Sequence, residues 1–108
     1  MRVPLQIAFH GVDHSDAAEE SIRSAVAKLE RIDDRIMACR VAIEGRSRGA
    51  EKHHKAIGIR IDLTLPGVEL VVTEAPEQSA QHDMRVTLRR AFASMERRLK
   101  EHRERARV

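Results

Sequence analysis

Five cations near the C-terminus have types and spacing suited to one kind of chemistry, the neutralisation of phosphate oxygens. Arg85, Arg89, Lys100, Arg103 and Arg107 fall within roughly 60° of one another on a helix advancing ~100° per residue. Glu96 is the only acid among them. The step from Arg89 to Lys100 is about three full turns, which keeps the stripe in line. An earlier amphipathic segment places Lys28, Arg31 and Arg35 on one flank and Glu19, Arg23 and Glu30 on the other. Residues 82–108 carry nine Lys/Arg against four Asp/Glu (+5), and residues 1–81 carry eleven against thirteen (−2), which together make the chain's formal +3. Charge concentrated on one element points to a polyanion partner more clearly than the overall pI does. A long exposed helix is also Arg-rich for solubility alone, so composition leaves both readings open.

Other reactive residue types lack the company that catalysis or metal binding needs. His53 and His54 are adjacent, and no Cys pair or helical His-x-x-x-His completes a ligand set, so no metal site is expected. Cys39, the single cysteine, alternates with apolar positions and reads as a small core residue rather than a nucleophile. Asp33 and Asp34 at a helix exit read as solvated or paired with Arg35. No nucleophile elbow surrounds a serine, and no glycine-rich phosphate loop is present. The expectation is a protein that is not an enzyme, with no cofactor and no small-molecule substrate. Phe9 and Phe92 are the only aromatic residues apart from histidine, which argues against base stacking and for contacts to phosphate and shape. One cysteine excludes an internal disulfide and suits a reducing cytoplasm. No apolar run approaches a membrane span, and the N-terminus lacks the pattern of a secretory signal.

The elements that must position these cations follow from periodicity. Val3, Leu5, Ile7 and Phe9 alternate with polar or small residues as a half-buried strand. Gly11 to His14 reads as a turn and Ser15 as a helix N-cap, with Asp16, Glu19 and Glu20 favouring the helix dipole. Ala18, Ile22, Ala25, Val26, Leu29 and Ile32 mark one helix face. Cys39, Val41 and Ile43 form a second strand, and Gly45 to Lys55 reads as a basic loop. Ile57, Ile59, Ile61, Leu63 and Leu65 give the clearest alternation, Pro66-Gly67 a tight turn, and Val68, Leu70 and Val72 a returning strand. Residues from His82 onward read as one long helix burying Met84, Leu88, Ala91, Phe92, Met95 and Leu99. The predicted class is α+β: a single two-layer β-α-β-β-β-α domain over residues 1–108, with two helices packed on one face of a four-stranded sheet. A parallel pairing of the first two strands would make the helices run in the same direction. Their basic flanks, of opposite hand, would then either face each other across a groove or both point outward.

The stretches VAKLERIDDRI (Val26 to Ile36), RIDLTLPGVELVV (Arg60 to Val72) and HDMRVTLRRAFASMERRLKEHRER (His82 to Arg105), in that order, resemble the ribosome hibernation-promoting factor family, also called ribosome-associated inhibitors or sigma-54 modulation proteins. The resemblance implies docking on the small ribosomal subunit, in the decoding channel where mRNA and tRNA lie, holding ribosomes inactive under stress. It implies rRNA contacts for Lys28, Arg35, Arg97, His102 and Arg103, and Asp83 and Met84 match the family's Asp-Met before the last helix. With the helical projection, the expected RNA-binding set is Lys28, Arg31, Arg35, Arg85, Arg89, Arg97, Lys100, His102, Arg103 and Arg107. Four departures stand out: Asp33 and Arg85 where the family usually has aromatics, Glu101-His102-Arg103 where Lys-His-Lys is usual, and a longer Gly45–Lys55 segment. The resemblance is to the short form, without the dimerisation domain of long members. Two other readings stay open, an adaptor that kept the fold but lost ribosome binding and a general double-stranded RNA binder.

Overall fold

Apolar side chains at every second position give the strands one face to bury, and two amphipathic helices cover it. The computed structural model describes residues 3–48, 51–75 and 84–106, with the backbone alone for 46–48 and 51–56. The elements are β1 (Leu5–His10), α1 (Asp16–Ile32), β2 (Ala38–Arg48), β3 (Glu51–Leu65), β4 (Val68–Glu74) and α2 (Met84–Ala106). The sheet order is β1-β2-β3-β4, with β1 parallel to β2 and the other neighbours antiparallel. This is the expected α+β architecture.

The core is one layer of side chains. Cys39, Val41 and Ile43 of β2, Ile59, Ile61 and Leu63 of β3, and Leu70 and Val72 of β4 are all buried on one side of the sheet. Ile22, Val26 and Leu29 of α1 and Leu88, Met95 and Leu99 of α2 pack onto them. Ser15 caps α1 as its type suggests, its Oγ accepting from the Ala18 N–H at 3.1 Å. The entry to that helix turns at Gly11, whose φ is +70°. A Cβ there would also run into the Gly45 carbonyl, so the β1–α1 turn and β2 approach more closely than a side chain permits. No helix among the described residues is long and apolar enough to cross a membrane.

One expectation fails. Residues 45–48 and 51–55 are strand rather than loop, because β2 continues to Arg48 and β3 begins at Glu51, paired from Gly45↔Ile57 to Arg48↔Glu51 with an irregularity between Ser47 and Arg48; residues 49–50 of the expected loop lie outside the described residues. Alternating hydrophobicity marks a strand only where one face is buried. Here the backbone ladder runs on beyond the covered sheet, and polar residues are compatible with it. The described span of the last helix is Met84–Ala106; the expected start at His82, with Asp83 and Arg107, lies outside the described residues.

Candidate nucleic-acid interface

The parallel β1–β2 pairing brings α1 and α2 side by side in the same direction. Lys28 meets Glu96 near the middle of the pair, and the Ile32 carbonyl meets Arg103 further along. Between them runs an open groove of about 410 Å³. Its floor is apolar, built by Ile22 and Leu29 from α1 and Leu88 and Phe92 from α2. Its rim is charged, with Lys28 on one side and Arg85 and Arg89 on the other. The two basic flanks therefore face each other, one of the two arrangements that the periodicity permitted.

Glu96 sits between the lysines of this rim. Its carboxylate lies 3.6 Å from Lys28 Nζ across the helix pair and 3.8 Å from Lys100 Nζ one turn on. The ammonium groups keep about two-thirds of their side-chain surface in water, at 65% and 62% exposed. Both distances are long and both partners solvated, so each pair contributes little to stability. Both lysines remain accessible to a competing anion. Lys28, Arg85, Arg89 and Lys100 against Glu96 make a net +3 at the groove. Arg89 has no hydrogen-bond or ion-pair partner among the described residues.

The C-terminal end of α1 is built differently. Asp33 caps the helix in an extended conformation, its N–H donating to the Leu29 carbonyl at 3.1 Å. Its carboxylate is buried and accepts three bonds from Arg35: from the backbone N–H at 3.0 Å, Nε at 3.0 Å and Nη2 at 2.8 Å. These bonds hold the Asp33 carboxyl below the ordinary carboxylate range despite its burial, with the charge of Arg103 adding to the effect. Arg103 Nη1 donates to the Ile32 carbonyl at 2.7 Å, placing a cation at the negative end of the α1 dipole. Arg31, Arg35 and Arg103 line a second recess of about 380 Å³ there, together with Asp33 and Asp34.

The expected site residues thus divide. Lys28, Arg85, Arg89 and Lys100 share the groove, while Arg31, Arg35 and Arg103 gather beyond its end, the last two already engaged within the fold. Arg97 stands about 60° beyond Lys100 around the helix, on the exposed back of α2 near Ser94. His102 is half-buried, between the directions of Ala91 and Met95 around the helix rather than among the groove cations. Some structural roles escape periodicity altogether. Arg98 donates from α2 to the Val71 carbonyl of β4. On the uncovered face of the sheet Arg40 approaches Asp62 and Glu69, and Arg60 holds Asp62 at 2.9 Å. Knowing that Arg40 lies opposite Asp62 would have found that network. At the start of α1, His14, Asp16 and Glu19 gather as an exposed cluster. Glu19 is bonded to His14 and to Arg23 and is held below its usual range chiefly by the His14 bond. Cys39 behaves as core: burial, and then the Asp62 charge, pushes its thiol up to about 12.

The family described as "Sigma 54 modulation protein / S30EA ribosomal protein" matches residues 5–107 of the chain. Two solved structures share the fold. One is a ribosomal subunit interface protein from Coxiella burnetii, 21% identical with a TM-score of 0.68 over 94% of this chain and 99% of that one. The other is the N-terminal domain of Protein Y from Thermus thermophilus, 19% identical with a TM-score of 0.66 over the same shares. No curated protein sequence matches the chain.

Proposed function

The chain belongs to the sigma 54 modulation protein / S30EA ribosomal protein family, and from that premise we propose that this ribosome-associated factor binds small-subunit rRNA in the decoding channel and keeps ribosomes inactive under stress. The family is one of ribosome-associated factors rather than enzymes. The work here is occlusion: a folded domain occupies the path of mRNA and tRNA, and no bond is made or broken. The cytoplasm is where it would act.

The observation that carries this reading is the meeting of two basic flanks across the α1–α2 groove. Cations on both rims can grip a phosphate backbone lying between them, and each phosphate neutralised releases condensed counterions. Affinity then falls steeply with salt. Phe92, the aromatic residue of the floor, keeps only 8% of its surface exposed, too little to stack a base, so binding would follow shape and phosphate spacing rather than base identity.

Co-sedimentation with purified ribosomes at low and moderate salt tests the proposal. Saturable binding to the small subunit, weakened by salt and displaced by mRNA with tRNA, is the expected result. Arg89→Glu with Lys100→Glu should lower the affinity by at least tenfold while leaving the thermal unfolding midpoint within a few degrees. Unchanged affinity in that variant would remove the groove from the mechanism. Arg103 is left out of this variant because its bond to the Ile32 carbonyl would mix a folding defect into the result. The adaptor reading draws on the Asp33–Arg35 pairing, which withdraws a cation from phosphate. A pull-down yielding one protein partner and no rRNA would favour it.

A further inference from the structure

β1 and β4 are the two outer strands of the sheet, and they are finished differently. The Cys39 N–H donates to the Pro4 carbonyl, and Leu5 is registered with Cys39 in a parallel pair. Along such a ladder successive residues alternate in the side to which their backbone groups point. Pro4, Gln6 and Ala8 therefore turn their carbonyls to β2, while Leu5, Ile7 and Phe9 turn N–H and C=O to the free edge. Carried through the antiparallel registers, the same alternation leaves Glu69, Val71 and Thr73 of β4 facing outward. The β4 edge is guarded: Arg98 donates to the outward Val71 carbonyl, and Glu69 and Glu74 place charge on the strand, which discourages further pairing. The β1 edge has no such guard. Leu5 to Phe9 contains no Asp, Glu, Lys or Arg. Leu5, Ile7 and Phe9 are only partly buried, whereas their registered neighbours Cys39, Val41 and Ile43 are at most 2% exposed. The helix layer thus stops short of this edge.

We propose that the free edge of β1 is a self-association surface, on which β1 of a second copy of this chain adds antiparallel to make one continuous sheet. The proposal is independent of the RNA reading. Symmetry singles out the second copy. With a two-fold axis at Ile7, antiparallel pairing matches every outward group: Ile7 with Ile7 of the second copy, Leu5 with its Phe9, and Phe9 with its Leu5. Each of these pairs exchanges both backbone hydrogen bonds. The same operation sets Leu5 and Phe9 side chains against each other on the core face, extending the apolar layer, and Gln6 against Ala8 on the open face. Because the paired residues are uncharged, no like charge meets itself. A parallel addition would turn the second sheet over and put its helices on the opposite side, which breaks the apolar layer. The antiparallel axis stands perpendicular to the sheet, closes after two copies and leaves both helix pairs on one side, with both grooves open to solvent.

Sedimentation equilibrium of the nucleic-acid-free protein, over about three decades of concentration, reads the dimer. Gln6→Lys/Ala8→Lys sets like charges against each other across the axis and should weaken the dimer about tenfold. Gln6→Lys/Ala8→Glu sets opposite charges there and should dimerise at least as tightly as the wild type. The groove variant Arg89→Glu/Lys100→Glu should dimerise like the wild type. Circular dichroism should show all three folded, since Gln6 and Ala8 lie on the uncovered sheet face. The register is read with cysteines. Positions 6 and 8 lie directly opposite at a non-hydrogen-bonded site, where side chains approach closely enough for a disulfide. Gln6→Cys and Ala8→Cys proteins, mixed and oxidised, should give a linked heterodimer, and each alone should link far less. A wild type that stays monomeric throughout would overturn the proposal. So would a dimer indifferent to both charge variants, or cysteines that link like with like. If the doubly lysine-substituted protein unfolds, the cysteine mixture decides. None of these readouts involves RNA, so failure here leaves the proposed function standing, and failure of that function leaves the dimer standing.

Discussion

Asp33 and Arg35 are two residues apart, and the fold turns them into a closed pair. The guanidinium gives Nε and Nη2 to the buried carboxylate, while the Arg35 backbone N–H donates to the same oxygen as Nε. Charge-assisted bonds of this kind contribute about 1.5–3 kcal/mol together when one partner is buried. Asp33→Asn should therefore lower stability at neutral pH by about 2 kcal/mol, read from urea unfolding. The pH dependence has a definite sign. The folded carboxyl titrates below its unfolded value, so its stabilisation is complete above the unfolded value near pH 4 and is lost as the pH falls through the folded one. The wild type should lose stability below about pH 4, and Asp33→Asn should lose less there. A variant as acid-sensitive as the wild type would assign that titration to another carboxylate.

At the scale of elements, the helix pair carries the candidate chemistry and the sheet only supports it. Parallel helices put the basic flank of α1 opposite that of α2, and Glu96 is the acid held between Lys28 and Lys100. Its ion pairs are long and solvated, so stability depends on it weakly. Its charge, by contrast, opposes an incoming phosphate at close range. Glu96→Gln should leave the unfolding midpoint nearly unchanged and raise affinity for small-subunit rRNA about threefold at low salt, the equivalent of about 0.7 kcal/mol. Filter binding across a salt series would check it, with the gain shrinking as salt rises. Weaker binding would mean that Glu96 orients the lysines rather than opposing the ligand.

The whole molecule shares one core, in which both helices close over the same sheet face. Leu99 is fully buried near the C-terminal end of α2, far along the chain from the strands it covers. Leu99→Ala should lower stability by about 2–5 kcal/mol through lost burial and the cavity left behind, while far-ultraviolet circular dichroism and differential scanning calorimetry follow one shared unfolding transition. Separate transitions would mean that α2 docks on a sheet already folded without it. Charge is likewise arranged at this scale. The open sheet face is internally compensated, and one end of the helix pair is closed by Asp33 and Arg103. In the groove Lys28 and Lys100 share the single carboxylate of Glu96.

The fold was legible because its signals are local. Alternation at Ile57 to Leu65, the cap at Ser15 and the apolar stripe of Met84 to Leu99 each depend on neighbours within a turn or a strand, where periodicity and burial coincide. The cationic stripe of α2 is legible for the same reason. The length of β2 and β3 was not, because at residues 45–48 and 51–55 the backbone ladder continues where hydrophobic alternation has stopped. Nor could periodicity choose between flanks that face and flanks that diverge, since that depends on how two helices sit on one sheet. The sequence by itself therefore determined the elements, their buried faces and the presence of a cationic stripe on each helix. Only the tertiary structure decided which cations share a groove and which are engaged inside the fold. Bonds such as Arg103 to the Ile32 carbonyl, 71 residues apart, follow from the spatial placement of elements, which local pattern does not encode.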